Sequence, residues 1–315
     1  MRIDSHCHTH CFSFDGKMHP EDLASTATRT GLAAVVVTEH YEPDYPYPTD
    51  NPSVFSLDEY FSATKSWQKL CDSAFAQQIT NGNGTVASAP CSPPQHVSDA
   101  SLAPETESAK ASPLTEPVQI RAGVELGYQP HLREHFSDIV RRYPFDSVTL
   151  SSHLFRGVDP YFSPDCFTAD QAETYAAYIH ELADMAEAFQ DFDILAHYDY
   201  LLRYAPYPDV QVRYSHAPAA FDRLFRILIA GGHSLELNTR TLLQLPSIDG
   251  KHATPDADIY LRYRELGGQY VTLGSDAHQA SYLGYGFTEA EQFLRDCGFD
   301  FVTVFEKRRA VRVNI

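Results

Sequence analysis

The residues with the clearest chemical potential lie at the start of the chain, in D-S-H-C-H-T-H-C-F-S-F-D-G, from Asp4 to Gly16. His6 and His8 are two positions apart. In a strand such residues point to one face, so two imidazoles at a strand end can chelate a single ion. Cys7 falls on the opposite face, and neither it nor Cys11 is needed as a ligand. Similar groups recur downstream, each after a short apolar run: Thr38-Glu39-His40, Gly123-Val124-Glu125, Ser151-Ser152-His153, Ala196-His197, Glu236-Leu237-Asn238 and Gly274-Ser275-Asp276-Ala277-His278. One such His is ordinarily a hydrogen-bonded structural residue, and one such carboxylate a helix cap. Seven in succession, each at a strand end, point to one shared site. Imidazole mixed with carboxylate suits Zn, Mn or Fe better than the all-oxygen sites of Mg or Ca. His6, His8, Glu125, His153, His197 and Asp276 are too many ligands for one tetrahedral ion. Two or three divalent ions with a bridging carboxylate are therefore expected. Such a site activates water at neutral pH and clamps an in-line displacement at phosphorus.

The elements that must position these residues alternate between strand and helix, as in a parallel sheet of βα units. Strands are expected at Arg2–Asp4, Ala33–Val37, Val118–Glu125, Ser147–Ser151, Asp193–Ala196, His233–Leu237 and Tyr270–Leu273. Pro20, Glu21 and Asp22 open a helix that Gly31 closes. Ser56–Glu59, Thr168–Gln171 and Thr288–Glu291 read as capping boxes. Ser215 reads as a cap for a helix ending at Gly231-Gly232, Thr254-Pro255-Asp256 opens another, Pro130–Arg142 is helical, and a β tail spans Phe301–Val313. Seven βα units predict a distorted (β/α)7, TIM-like barrel whose function sits at the C-terminal ends of the strands. An open doubly wound sheet is the alternative, but it would normally carry a Gly-rich phosphate turn, and the sequence has none. One domain over residues 1–315 is expected. It is interrupted at 80–117 by a low-complexity insertion, rich in Gly, Ser, Pro, Ala and Thr, that buries too little surface to order itself.

Composition narrows the partners. A formal net charge of −18 over 315 residues disfavours a nucleic-acid partner, because phosphate backbones need Lys and Arg to neutralise them. No apolar run approaches the roughly 18 residues of a membrane span, and no signal peptide is evident. The six cysteines form no framework and fit reduced thiols in a cytoplasmic protein. His96, His131, His135, His180, His216, His233 and His252 lie on helices, loops or the insertion and are read as structural. His10 and His19 are left without a site role.

The ordered set D-S-H-C-H-T-H…D-G, T-E-H, G-V-E, S-S-H, A-H and G-S-D-A-H resembles the PHP (polymerase and histidinol phosphatase) superfamily. The segment from Ser275 to Ile315, with S-S-H-L-F-R-G and E-L-N-T-R, resembles its histidinol-phosphate phosphatase branch. The resemblance implies a barrel phosphoesterase with two or three metals and a small phosphomonoester substrate. Carried over by motif, it implies a first ion on His6, His8, Glu125 and Asp276 that holds the attacking hydroxide. Glu125 then bridges to a second ion on His153 and His197, and a third lies on His40, His278 and Asp15. The spacing after the His pair departs from the commoner pattern and leaves Phe14 or Asp15 as the aligned residue; Asp15 is chosen because Phe cannot ligate. Arg156 is the first candidate for a bidentate phosphate contact, followed by Arg240 and Arg203. No side chain is assigned as general acid. A phosphotyrosine peptide, nucleotide or sugar phosphate is the alternative substrate, and a metal-binding module without turnover the alternative class.

Overall fold

The strands that deliver the site are buried parallel strands, which accounts for their continuous apolar runs. The computed structural model describes residues 1–49, 52–81, 114–242 and 253–315. Strand β1 (Arg2–Cys7) pairs in parallel with β2 (Leu32–Val37), and β2 pairs with the first half of β4 (Gln119–Gly127). The order continues through β5 (Ser147–Ser151), β6 (Ile194–Leu195), β7 (Ser234–Asn238) and β8 (Val271–Gly274), all parallel. At the seam, β8 returns to β1 without a regular ladder. The Cys7–Ala277 bridge and the bond from the Asp276 N–H to the His6 carbonyl (2.8 Å) join the two strand ends. The result is a nearly closed, seven-position parallel barrel. Asp4 laces the seam. It is fully buried and accepts from the Ser275 N–H (3.0 Å), the Ser275 hydroxyl (2.6 Å) and the Gly284 N–H (2.9 Å).

One feature was not anticipated from sequence. The second strand position is interrupted at Thr38-Glu39 and resumes as β3 (His40–Tyr41), which pairs with the second half of β4, His40 opposite Glu125. The break turns Glu39 inward and sets His40 beside Glu125. Tyr60 secures it from the helical layer, its single hydroxyl hydrogen shared between the Val37 (2.7 Å) and Gly123 (2.9 Å) carbonyls.

Helices α1 (Pro20–Thr30), α2 (Leu57–Asn81), α3 (Arg133–Arg142), α4 (Gln171–Ala188), α5 (Pro218–Gly231), α6 (Ala257–Glu265) and α7 (Phe287–Asp296) follow the strands. Gly31 ends α1 in the left-handed conformation, φ 73°, and Ser56 accepts from the Glu59 N–H, both as expected. Asp256 caps α6 through the Asp258 N–H. Four starts differ from expectation. Helix α3 is preceded by a 3-10 turn at Pro130–Leu132. The cap of α4 is Asp170 rather than Thr168, because its carboxylate reaches the Glu173 N–H at 2.9 Å. Helix α5 starts at Pro218, so Ser215 lies outside it. Thr288 and Glu291 form no capping box; both grip Arg2, with the Glu291 pair at 2.8 Å. The β tail is an antiparallel hairpin of β9 (Phe301–Glu306) and β10 (Arg309–Asn314), tied to β8 by the Thr272 hydroxyl on the Thr303 carbonyl. Of the expected insertion over 80–117, residues 82–113 lie outside the described residues, as does His252; residues 80 and 81 end α2.

Candidate metal centre and cleft

Glu125, at the C-terminal end of β4, is fully buried and is the hub. Its Oε2 lies 3.2 Å from His6 Nε2, 3.0 Å from His40 Nδ1 and 3.5 Å from His8 Nε2. Its Oε1 lies 3.0 Å from His197 Nε2 and 3.3 Å from His153 Nε2. Asp276 Oδ1 lies 3.4 Å from His8 Nε2 and 3.5 Å from His278 Nδ1. Asp276 holds a positive φ of 51°, a conformation that Asp tolerates better than most residues; it sits in the turn that carries the seam bonds. Asp15 spans the remaining pair, 3.4 Å from His40 Nε2 and 2.9 Å from His278 Nε2. All nine histidines and carboxylates expected as ligands thus converge on one end of the barrel.

Two further carboxylates join them. Glu236 Oε1 is 2.7 Å from His6 Nδ1, and its Oε2 accepts the His197 N–H at 2.8 Å. Glu42 Oε1 is 2.8 Å from His153 Nδ1 and 3.3 Å from His40 Nδ1. An ionised carboxylate only accepts, so Nδ1 of His6 and of His153 carries the hydrogen and Nε2 faces the hub. Such carboxylate–imidazole pairs are the usual support behind metal-ligating histidines. Glu236 was visible in sequence as a strand-end acid but had no assigned role. Glu42 was missed; its signal is its place two residues after His40, just past the end of the unanticipated β3. Gly127 and Gly274 admit these acids, since a Cβ on either would run into the Glu42 or Glu236 side chain.

The donors meet the chemical requirements of cations. Four sets of three ligand atoms lie close enough to share an ion: His6, His8 and Asp276; His6, Glu125 and His197; His8, His40 and His278; and His40, Glu42 and His153. Nε2 of His6 and of His8 approach to 3.1 Å, and those of His153 and His197 to 3.4 Å. Buried imidazole nitrogens pointed at one another are unfavourable unless a shared positive charge lies between them. Burial lowers the His6 pKa, but Glu236 and Glu125 outweigh it and raise it well above the ordinary imidazole value. Glu125 moves the other way: burial raises it, yet His6, His40 and His153 hold it well below the usual carboxylate range. The carboxylates favour positive charge at His6 and His153, whereas burial holds His8 and His197 below the ordinary imidazole value; divalent ions bound between them would supply that charge.

Above this floor opens a cleft of about 460 Å³. Arg203, Arg240 and Lys17 line it, as do the aromatic residues Phe14, Tyr45, Tyr161, Phe162 and Tyr204. Arg203 is buried and pairs with Asp276 Oδ2 at 2.8 Å. Arg240 donates to the Asp276 carbonyl at 3.1 Å and faces His278 Nδ1. Arg156 is not brought here. It is exposed, stacks 4.8 Å from the Phe155 ring and donates to Thr168 Oγ1 at 2.8 Å, because its turn, with φ 54°, aims the side chain away from the cleft. Lys17, unmarked in the sequence reading, is the basic residue closest to Asp15 in the chain.

Fold and site together define a metal-centred phosphoesterase barrel of the PHP type. The model of the PHP domain matches residues 4–240, and the chain belongs to that family. Among curated relatives, a probable histidinol-phosphatase of Clostridium acetobutylicum is 27% identical over 98% of both chains. The histidinol-phosphatase of Lactococcus lactis is 22% identical over 96% of this chain and 94% of that one. A crystal structure of the Lactococcus lactis histidinol phosphate phosphatase, complexed with zinc, L-histidinol and phosphate, superposes with a TM-score of 0.71 at 21% identity over 98% of both chains. The putative histidinol phosphatase of Listeria monocytogenes gives 0.60 at 15% identity, covering 91% of this chain and 99% of the other. Among the described residues no helix is long and apolar enough to cross a membrane.

Proposed function

We propose that this chain is a metal-dependent phosphomonoesterase that hydrolyses L-histidinol phosphate to L-histidinol and phosphate, as a step of histidine biosynthesis. The observation that carries the reading is the floor of the cleft. Imidazole and carboxylate ligand atoms converge there, and Arg203, Arg240 and Lys17 line the space above them. The similarity to histidinol-phosphatases, and to the Lactococcus lactis structure complexed with zinc, L-histidinol and phosphate, supports the substrate. In this reading His6, His8, Glu125 and Asp276 hold a first ion, Glu125, His153 and His197 a second, and Asp15, His40 and His278 a third, with zinc, manganese or iron as the metal. When bound, the ions supply Lewis-acid charge that activates water and neutralises the phosphoryl oxygens. The chain's own residues do the rest. Glu236 and Glu42 take the Nδ1 hydrogens and keep the Nε2 lone pairs aimed inward. Arg203 and Arg240, anchored on Asp276, meet the phosphoryl oxygens with fixed donors, which act most strongly where charge develops in the transition state. Aromatic walls suit a flat imidazole ring. A cytoplasmic setting fits the described cysteines, all free thiols.

The test is phosphate release by metal-replete protein from L-histidinol phosphate, set against tyrosine phosphate, a nucleotide and a sugar phosphate. The reading predicts that kcat/KM for L-histidinol phosphate exceeds the others by on the order of 10²-fold. Comparable values across the panel would favour a broad phosphomonoesterase, and no release at all would favour a binding module.

A further inference from the structure

We propose that Ser13 and Glu39 form a hydroxyl-relayed support for His8 and are positioning residues of the metal centre. His6 and His153 are each backed directly by a carboxylate, but His8 is not. Its Nδ1 lies 3.1 Å from the Ser13 hydroxyl oxygen. That oxygen also accepts the backbone N–H of His40 at 3.1 Å and donates to Glu39 Oε2 at 2.6 Å. A serine hydroxyl has one hydrogen and two lone pairs. With the hydrogen committed to Glu39 and one lone pair to His40, the second lone pair accepts from His8, so Nδ1 of His8 carries the hydrogen. Nε2 is left with its lone pair toward Asp276 Oδ1 and His6 Nε2. Glu39 is itself fixed. It is fully buried and also accepts from the Thr9 N–H at 3.0 Å and from the Thr9 hydroxyl. Three hydrogen-bond donors, the Thr9 N–H, the Thr9 hydroxyl and the Ser13 hydroxyl, converge on its carboxylate. Its backbone carbonyl accepts the Glu125 N–H at 3.1 Å, but its carboxylate bonds Thr9 and Ser13 and so reaches His8 through the Ser13 hydroxyl.

The interruption between β2 and β3 is what makes this possible. Strand β2 pairs with β4 as far as Ala122, and after the break β3 resumes with His40 opposite Glu125, while the Glu39 carboxylate meets the Thr9–Ser13 loop. The break therefore serves two ligands at once, His40 through its backbone and His8 through its ring.

The inference rests on the metal-centre reading but not on the substrate. The experiment uses the full chain as wild type, Ser13→Ala, Ser13→Thr and Glu39→Gln, each stripped with chelator and titrated with zinc against a chromophoric competitor. The relay predicts that one class of zinc site weakens by about 10–100-fold in Ser13→Ala and Glu39→Gln, while Ser13→Thr, which keeps the hydroxyl, stays near wild type. Imidazole ¹⁵N shifts of His8 in the zinc-free chains should show the Nδ1–H form in wild type and Ser13→Thr, and its loss in Ser13→Ala. Zinc binding unchanged in both Ser13→Ala and Glu39→Gln overturns the relay. So does a uniform weakening of every site with an equal fall in the melting temperature of the zinc-free chain, the result of lost packing. A wild-type chain that takes up no zinc overturns the metal centre and the relay with it.

Discussion

At the floor of the cleft three of the imidazoles are held from behind. Glu236 backs His6, Glu42 backs His153, and the Ser13 hydroxyl backs His8, at distances between 2.7 and 3.1 Å. At the mouth the side chains hold mainly one another. Tyr47 stacks on Phe162 with ring centroids 4.5 Å apart, and Tyr161 is 64% exposed. The floor is rigid because each group has several partners in a low dielectric. The mouth has few, and its conformations cost little to change. On the proposed reading the contrast separates two tasks: the floor would fix the reaction class, and the mouth would select which phosphomonoester enters.

The contrast can be broken most severely at the hub. Glu125→Gln keeps the volume of a side chain within 3.5 Å of five histidines but removes its charge. Steady-state assays should show kcat reduced by on the order of 10³-fold, with fewer zinc ions per chain by elemental analysis. Arg203→Ala should lower kcat/KM by about 10²-fold, because it deletes a buried donor and strips Asp276 of its cation. Glu236→Gln leaves the ligands in place and should weaken zinc binding by about 10–100-fold in a competitive titration. Removing the metal from the wild type should lower the melting temperature by roughly 5–10 °C in a thermal scan, since the buried carboxylates lose the charge that offsets them. At the mouth, Phe162→Ala should raise KM less than about 10-fold with kcat unchanged, and Arg156→Ala should alter neither beyond about twofold. A Phe162→Ala loss as large as that of Glu125→Gln would erase the distinction between the two regions.

Much of the floor was legible in the sequence because strand ends are. A short β-branched run followed by His, Glu or Asp announces both the strand and the direction of the acid or base at its end. His6, His8, Glu125, His153, His197 and Asp276 were readable in this way. Glu42 was not, because it depends on β3, two residues long, which only its pairing with β4 defines. Arg156 does not line the cleft, for a related reason. Its distance along the chain from His153 says nothing about the turn at φ 54° that directs it to Thr168. The pair Thr288 and Glu291 had the spacing of a capping box, but their contact with Arg2, remote in sequence, outweighs the local pattern. Asp4 shows the same limit: its neighbours gave no sign that it would stitch β1 to a loop some 270 residues away.

The most direct test of the central claim is to strip the protein of metal, return zinc in measured steps, and follow phosphate release from L-histidinol phosphate. The account predicts a stripped protein with negligible turnover and activity that returns in proportion to zinc bound, reaching its plateau at two or three ions per chain. Turnover that survives complete stripping, or a fully loaded protein that leaves L-histidinol phosphate intact, would contradict it.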